Sequence, residues 1–187
     1  ASLVIPMANS AELAFDEASS SGRLLGGKSI EIIRGDSTCT NSDQAKLAAD
    51  QLINIDNVVG IVGADCSGVT SAIIDDVIVP NQTPMISPSA TSPNLTSIND
   101  QGYFFRTAAS DALQGQIIAD ITIRRGINEV AVAYTNIEYG NTLKDSFKEA
   151  YENIGGSIVL TIQHEDNQTD FSNELNLIEN SGADKLV

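Results

Sequence analysis

The chain has 187 residues with 25 acidic and 10 basic side chains, a formal net charge of −15, so its surface repels nucleic acid and anionic membranes at long range and any anionic ligand must be caught by local donors. With 42% hydrophobic and 19% charged residues, the composition is that of a globular protein, large enough for one domain with a real core or for two small lobes. No apolar stretch approaches the roughly 20 residues of a bilayer span, and the first residues show neither the basic nor the apolar region of an export signal.

Residues 8 to 21 carry Leu13, Ala14 and Ala18 at helical spacing and predict a helix, and "SIEIIR", residues 29 to 34, alternates like a strand. Asn41 and Ser42 offer a cap to a helix from about Asp43 to Ile55, with Ala45, Ala48, Ala49 and Leu52 on one face. Val58 to Val62 reads as a buried strand, Gly68 to Val79 as a helix, and Met85 to Ser87 and Tyr103 to Arg106 as short strands. Between these last two, Pro88 and Pro93 exclude regular helix from "SPSATSPNLTSINDQG". Three alternating units follow: helix Asp111 to Arg125, strand Glu129 to Tyr134, helix Tyr139 to Asn153, strand Ser157 to Gln163, helix Asp170 to Asn180, and a strand beginning at Lys185. Strands alternating with helices predict an α/β fold with parallel sheets covered on both faces. The change of pattern near Thr107 to Asp111 sets the expected boundary between a first lobe, residues 1 to 110, and a second, residues 111 to 187.

The enzyme readings fail one by one. "GADCSG", residues 63 to 68, has the outline of a phosphate loop, but Val69 stands where a lysine must reach the phosphates. Neither G-x-G-x-x-G after a strand nor G-x-S-x-G occurs. The single histidine, His164, lies in the polar segment "QHEDNQTD" and is expected in solvent; Asp75 and Asp76 are expected on a solvated helix face. Three N-x-T triplets, at Asn81, Asn94 and Asn167, match the acceptor pattern of secreted glycoproteins, a pattern that also arises by chance. Cys39 and Cys66 are either two free thiols or a disulfide that would put the protein outside the reducing cytosol. With no CxxC and one distant histidine, no metal site is expected.

Two hydroxyl-rich turns remain, Cys66-Ser67-Gly68 and "SPSATSP", residues 87 to 93, both at the carboxyl ends of predicted neighbouring strands, where open parallel sheets bind ligands. Ser67 and Thr91 can each give a backbone N–H and a hydroxyl to one oxygen of a carboxylate. Singly, each has a plainer use, Ser67 as an N-cap and Thr91 as a turn residue; together they point to a shared anion site.

The order "GADCSGVTSAI", "TPMISPSATSPNLT", "YFFRTAASDALQG" and "VAVAYTNIEYGNTLKDSFKEAYENIGG" resembles the type I periplasmic solute-binding proteins of ABC transporters, and within them the leucine/isoleucine/valine branch. The likeness runs over nearly the whole chain. It implies two Rossmann-like lobes with parallel sheets and a Cys39–Cys66 disulfide. It also implies a ligand set of Ser67 and Thr91 on the carboxylate, Thr91 helping with the ammonium as well, Ser89 with a carbonyl for the ammonium, Ala90 beside them, and Tyr139 closing over the ligand from the second lobe. The implied protein is exported, periplasmic or extracellular, and is not an enzyme. It has no cofactor, and its partners are a small-molecule ligand, an amino acid or related carboxylate, and a transporter permease. The same fold also serves in sensing receptors and in amide or urea regulators. Family members carry a strand before the first helix and run to about twice this length, with the acidic residue that usually fixes the ligand ammonium in the later part. The chain is therefore expected to be part of the full fold.

Overall fold

The computed structural model describes residues 4–23 and 26–187. By their contacts these form two compact units, Ala1–Ser89 with Asn99–Thr107, and Ala90–Ile98 with Ala108–Val187. Whether a strand precedes the first helix falls on residues 1–3, outside the described residues.

The first unit begins with α1 (Val4–Ser20). α2 (Ser42–Asn54) starts where Asn41 caps it, its side chain accepting from the Gln44 N–H at 3.0 Å, and buries Ala45 and Ala49. Three parallel strands follow in the order β1 (Ile61–Val62), β2 (Met85–Ser87), β3 (Phe104–Arg106), with Ile61 opposite Met85 and Met85 opposite Phe104. Between β1 and β2 one helical run extends from Ser67 to Asn81: α3 (Ser67–Ile73), a π turn over Ile74–Ile78, and α4 (Val79–Asn81). The π turn immediately precedes Pro80, which has no N–H to donate and whose ring crowds the carbonyl four residues back. Ile73, Ile74, Val77 and Ile78 from this run join Met85 in the core. Asp76 is paired with Lys46 of α2 at 3.1 Å, so the acidic pair expected in solvent also ties two helices together.

"SIEIIR" forms no strand. Alternation marks two faces but supplies no partner, and among the described residues no strand runs beside it; Ile32 and Ile33 stay exposed. The segment is held instead by polar contacts with α1. Arg34 pairs with Glu12 at 2.6 Å and donates to Asn9 at 3.2 Å, and the Ile30 N–H donates to the Ser19 hydroxyl. The strand expected at Val58–Val62 shortens to its last two residues for the same reason, and Val59 is exposed.

In the second unit β4 (Glu129–Thr135) is the central strand, flanked in parallel by β5 (Ser157–His164) and β6 (Lys185–Leu186). Its Val130, Ala131 and Val132 are buried. Against it pack α5 (Asp111–Arg124) and α6 (Glu138–Asn153), which bring Ala119, Phe147 and Tyr151 into one cluster with Val130 and Val132. The Phe147 and Tyr151 rings stack 5.1 Å apart, and the buried Tyr151 hydroxyl donates to the Ile127 carbonyl at 3.0 Å. Each such ring contributes about 2 to 3 kcal/mol through removal from water. α7 (Ser172–Glu179), between β5 and β6, buries none of its residues.

α5 and α6 approach closely at Gly115, where an added Cβ would lie 2.6 Å from the Phe147 backbone nitrogen and 2.7 Å from the Ser146 carbonyl carbon. Alanine would gain about 1 kcal/mol of helix propensity, but the clash is with backbone, and overpacking of this kind costs about 1 to 3 kcal/mol or more. Gly115→Ala is expected to destabilise the protein by about 2 kcal/mol net of propensity in urea unfolding. A neutral or stabilising result would mean that the helices are not in contact there.

Candidate functional site: two hydroxyl-rich turns

In the first unit, β1 and β2 run parallel as neighbours, so the turns that follow them leave the same end of the sheet. The chain turns at Gly63, whose φ of +147° lies where side chains are disfavoured. The next three carbonyls are then each taken by a hydroxyl. Ala64 accepts from Ser87 at 2.6 Å, Asp65 accepts from Ser89 at 2.9 Å, and Cys66 accepts from both the hydroxyl and the N–H of Thr70, at 2.9 and 3.0 Å. Buried carbonyls left open would cost about 1 to 3 kcal/mol each, so this polar set fixes the turn tightly.

Ser67, 2% exposed, is the first residue of α3, and Cys66 is its N-cap. The plainer role expected for Ser67, the cap itself, is thus filled by its neighbour, which makes no side-chain capping bond. The Cys66 sulfur is bonded to Cys39, with Cα atoms 5.3 Å apart, inside the usual disulfide range. The bond ties the turn to the loop after "SIEIIR". Ser89 spends its hydroxyl on the Asp65 carbonyl, so it both shapes the turn and stands beside it.

The second unit holds the other candidates. Ala90 is buried, and Thr91 makes a two-way clasp: its hydroxyl donates to Asp111 Oδ2 at 2.7 Å, and the Asp111 N–H donates back to the Thr91 carbonyl at 3.0 Å. Asp111 is 2% exposed and is the first residue of α5, where Ser110 caps by accepting from the Ala112 N–H at 3.3 Å. No Lys or Arg pairs with it among the described residues. A cavity of about 400 Å³ opens beside this pair, lined by Thr91, Asp111 and Gln114 and by the apolar Leu113, Ile117 and Ile118.

Tyr139, 40% exposed, is the second residue of α6 and does not line that cavity. Its phenol is pushed above the usual range by burial and, next, by the negative charge of Asp111, so the two residues share one electrostatic environment. Sequence reasoning missed Asp111. An acidic residue after a serine cap reads as an ordinary helix start whether it is buried or exposed. His164 ends β5 half-buried and edge-on to Phe171, ring centroids 5.3 Å apart, rather than standing in solvent; the aromatic seven residues on gives it a surface to pack against. Among the described residues no group of three or more His, Cys, Asp or Glu is arranged to hold a metal, and no helix is long and apolar enough to cross a membrane.

A family model described as "Periplasmic binding protein" matches residues 1–187. The chain is 33% identical over 146 residues to the Leu/Ile/Val-binding protein homolog 3 of Brucella melitensis, a match covering 75% of this chain and 38% of that protein. Among solved structures it is similar to the branched-chain amino acid transporter substrate binding protein of Streptococcus pneumoniae in complex with isoleucine. There the TM-score is 0.80 at 29% identity, over 94% of this chain and 49% of that one. It is similar also to the solute binding protein of an ABC transporter from R. palustris in complex with 4-hydroxybenzoate, with TM-score 0.80 and 25% identity over 90% and 45%. The chain therefore spans less than half the length of each of these three proteins.

The tightness of the first turn has a cost at Asp65, whose carboxyl is raised above the ordinary range by burial. An acid whose pKa rises on folding binds more protons folded than unfolded, so stability falls as pH climbs through the window above its unfolded value. Asp65→Asn is expected to raise the melting temperature at pH 7 relative to the parent, with the gain disappearing below about pH 3. A gain of equal size at both pH values would show that something other than the desolvated charge is responsible.

Proposed function

This chain belongs to the periplasmic binding protein family, and we propose from that premise that it is the ligand-binding part of an exported receptor, periplasmic or extracellular, for an amino acid. In this reading two lobes, residues 1 to 110 and 111 to 187, close on the ligand and present it to an ABC-transporter permease. Ser67 and Thr91 take the carboxylate, the Ser89 carbonyl and Asp111 take the ammonium, Ala90 lies beside them, and Tyr139 covers the apolar part. The ligand gains contacts in the closed state that the open state lacks, which is what drives closure. The reading asks for no cofactor and no catalytic step.

The observation that carries an amino acid rather than a bare aromatic acid is Asp111. Isoleucine and 4-hydroxybenzoate, the ligands of the two solved relatives, share a carboxylate, and only isoleucine adds an ammonium. A buried carboxylate without a cation costs several kcal/mol unless a partner arrives. Asp111 already accepts a hydrogen bond from the Thr91 hydroxyl, and among the described residues no Lys or Arg pairs with it. An incoming carboxylate alone would meet repulsion there, whereas an ammonium would pair with it. The Cys39–Cys66 disulfide supports an oxidising compartment, which favours an exported receptor over a cytosolic amide or urea regulator.

Calorimetry on the whole protein is expected to show isoleucine bound more tightly than 4-hydroxybenzoate. Ser67→Ala and Thr91→Val should each weaken isoleucine by about 1.5 to 3 kcal/mol, the worth of a hydrogen bond to a charged group, with native circular dichroism. Asp111→Asn keeps an oxygen for Thr91 and removes the charge, so it should erase the preference for the amino acid. Tyr139→Ala should act chiefly by speeding dissociation. Tighter binding of 4-hydroxybenzoate by the parent would overturn the ligand assignment.

A further inference from the structure

Asn136 and Ile137 are the whole link between the end of β4 at Thr135 and the start of α6 at Glu138. Ile137 stands at the cap position and makes no side-chain capping bond. The turn is closed by backbone instead: the Ile137 N–H donates to the Thr135 carbonyl at 2.9 Å, and the Asn136 N–H donates to the His164 carbonyl at 2.7 Å. Thr135 is itself paired with His164 in the sheet, so the strand end cannot yield. Gly140 is buried against it. A Cβ at that position would fall on the Thr135 carbonyl oxygen and lie 2.5 Å from the Thr135 hydroxyl oxygen and 3.0 Å from the carbonyl carbon. Gly140 is inside the helix and has no positive φ, so its backbone conformation does not call for glycine, and glycine is a poor helix former. Close approach is the reason that remains. Farther along, α6 is fixed independently, by the contact of Ser146 and Phe147 with Gly115 and by the Phe147 and Tyr151 rings in the core cluster.

We propose that Gly140 is the positioning residue for Tyr139: having no side chain, it lets the first turn of α6 seat on the end of β4, and that seat sets where the adjacent Tyr139 ring stands on the second unit. Gly140 need not touch the ligand. A side chain there would lift the first turn alone, since the rest of α6 is held downstream, and a contact group misplaced by about 1 Å loses its fit. The seat lies wholly within the second unit, so it leaves closure of the lobes free. The proposal rests on the ligand role given to Tyr139, while the placement of the ring is a property of the ligand-free protein and is read there.

The experiment is Gly140→Ala in the whole protein with 3-fluorotyrosine incorporated, the Tyr139 fluorine signal being assigned by its loss in Tyr139→Phe. The Tyr139 phenol feels its burial and the charge of Asp111, so its titration without ligand reports where the ring stands. That titration is expected to move in Gly140→Ala while the signals of Tyr103 and Tyr151 hold. Isoleucine dissociation should quicken about tenfold, the scale of one well-placed aromatic contact. In a Tyr139→Ala background, Gly140→Ala should add nothing to the dissociation rate. Val130→Ala, which thins the core cluster, controls for lost stability and should leave both readings as in the parent. An unmoved Tyr139 titration would overturn the proposal and leave Gly140 a packing residue. So would an equal movement in Val130→Ala, or a further quickening in the Tyr139→Ala background. A Gly140→Ala protein that does not fold in buffer is read in trimethylamine oxide, which favours the compact state; failure to fold there also overturns the proposal, because the displacement it describes is confined to one turn. If the parent does not bind isoleucine, the amino-acid reading falls, and the ligand-free titration decides the placement of Tyr139 by itself.

Discussion

At the entrance to α5 the Thr91 hydroxyl donates a hydrogen bond to Asp111, 2.7 Å away, and the Asp111 amide returns one to the Thr91 carbonyl. This pair sits at a junction of everything else in the second unit. On one side it orients the loop 90–98, in which Ser92 also donates to Glu138. On the other it begins a helix whose position is set by contact with α6 at Gly115 and by the Ala119, Phe147 and Tyr151 cluster on β4. A displaced α5 would carry Asp111 with it, and the charge felt by the Tyr139 phenol would change. The buried carboxylate is tolerated because a hydroxyl and the helix dipole partly satisfy it. The proposed ligand class would set an ammonium beside this carboxylate.

The first unit reaches rigidity by different means. Its sheet is short, with two- and three-residue strands, and ladder bonds alone would hold the Ser67 turn poorly. Hydroxyls from Thr70, Ser87 and Ser89 close the carbonyls of residues 64 to 66, and the disulfide anchors Cys66 from outside the sheet. The richness of serine and threonine in these stretches thus has two uses. Some hydroxyls build the turn, and Ser67 opens the helix that the turn presents. In the proposed reading, substituting a turn-building serine disturbs ligand binding through shape, whereas substituting Ser67 removes a ligand contact.

Much of this was legible in the sequence where the physics is local. The start of α2 follows from Asn41 as its cap, and β4 and β5 follow from apolar runs long enough to recruit partners. Non-local requirements were not legible. "SIEIIR" has the alternation of a strand, but a strand exists only with a neighbour on its edge, and alternation cannot say whether one is there. The π turn before Pro80 is a compromise between a helix and its proline that periodicity averages away. In the proposed site, Ser67 and Thr91 stand out in the sequence by their hydroxyl-rich turns after strands. Asp111 does not, since an acid in the first turn of a helix looks the same whether its carboxylate faces water or a buried hydroxyl.

The structure of the whole protein crystallised with isoleucine would test the role of Asp111 most directly. The expected result is an ammonium nitrogen within about 3.2 Å of an Asp111 carboxylate oxygen, with the ligand carboxylate on Ser67 and Thr91. An isoleucine bound with its ammonium remote from Asp111, and Asp111 still engaged only with Thr91, would contradict the assignment and reduce the buried pair to a loop anchor.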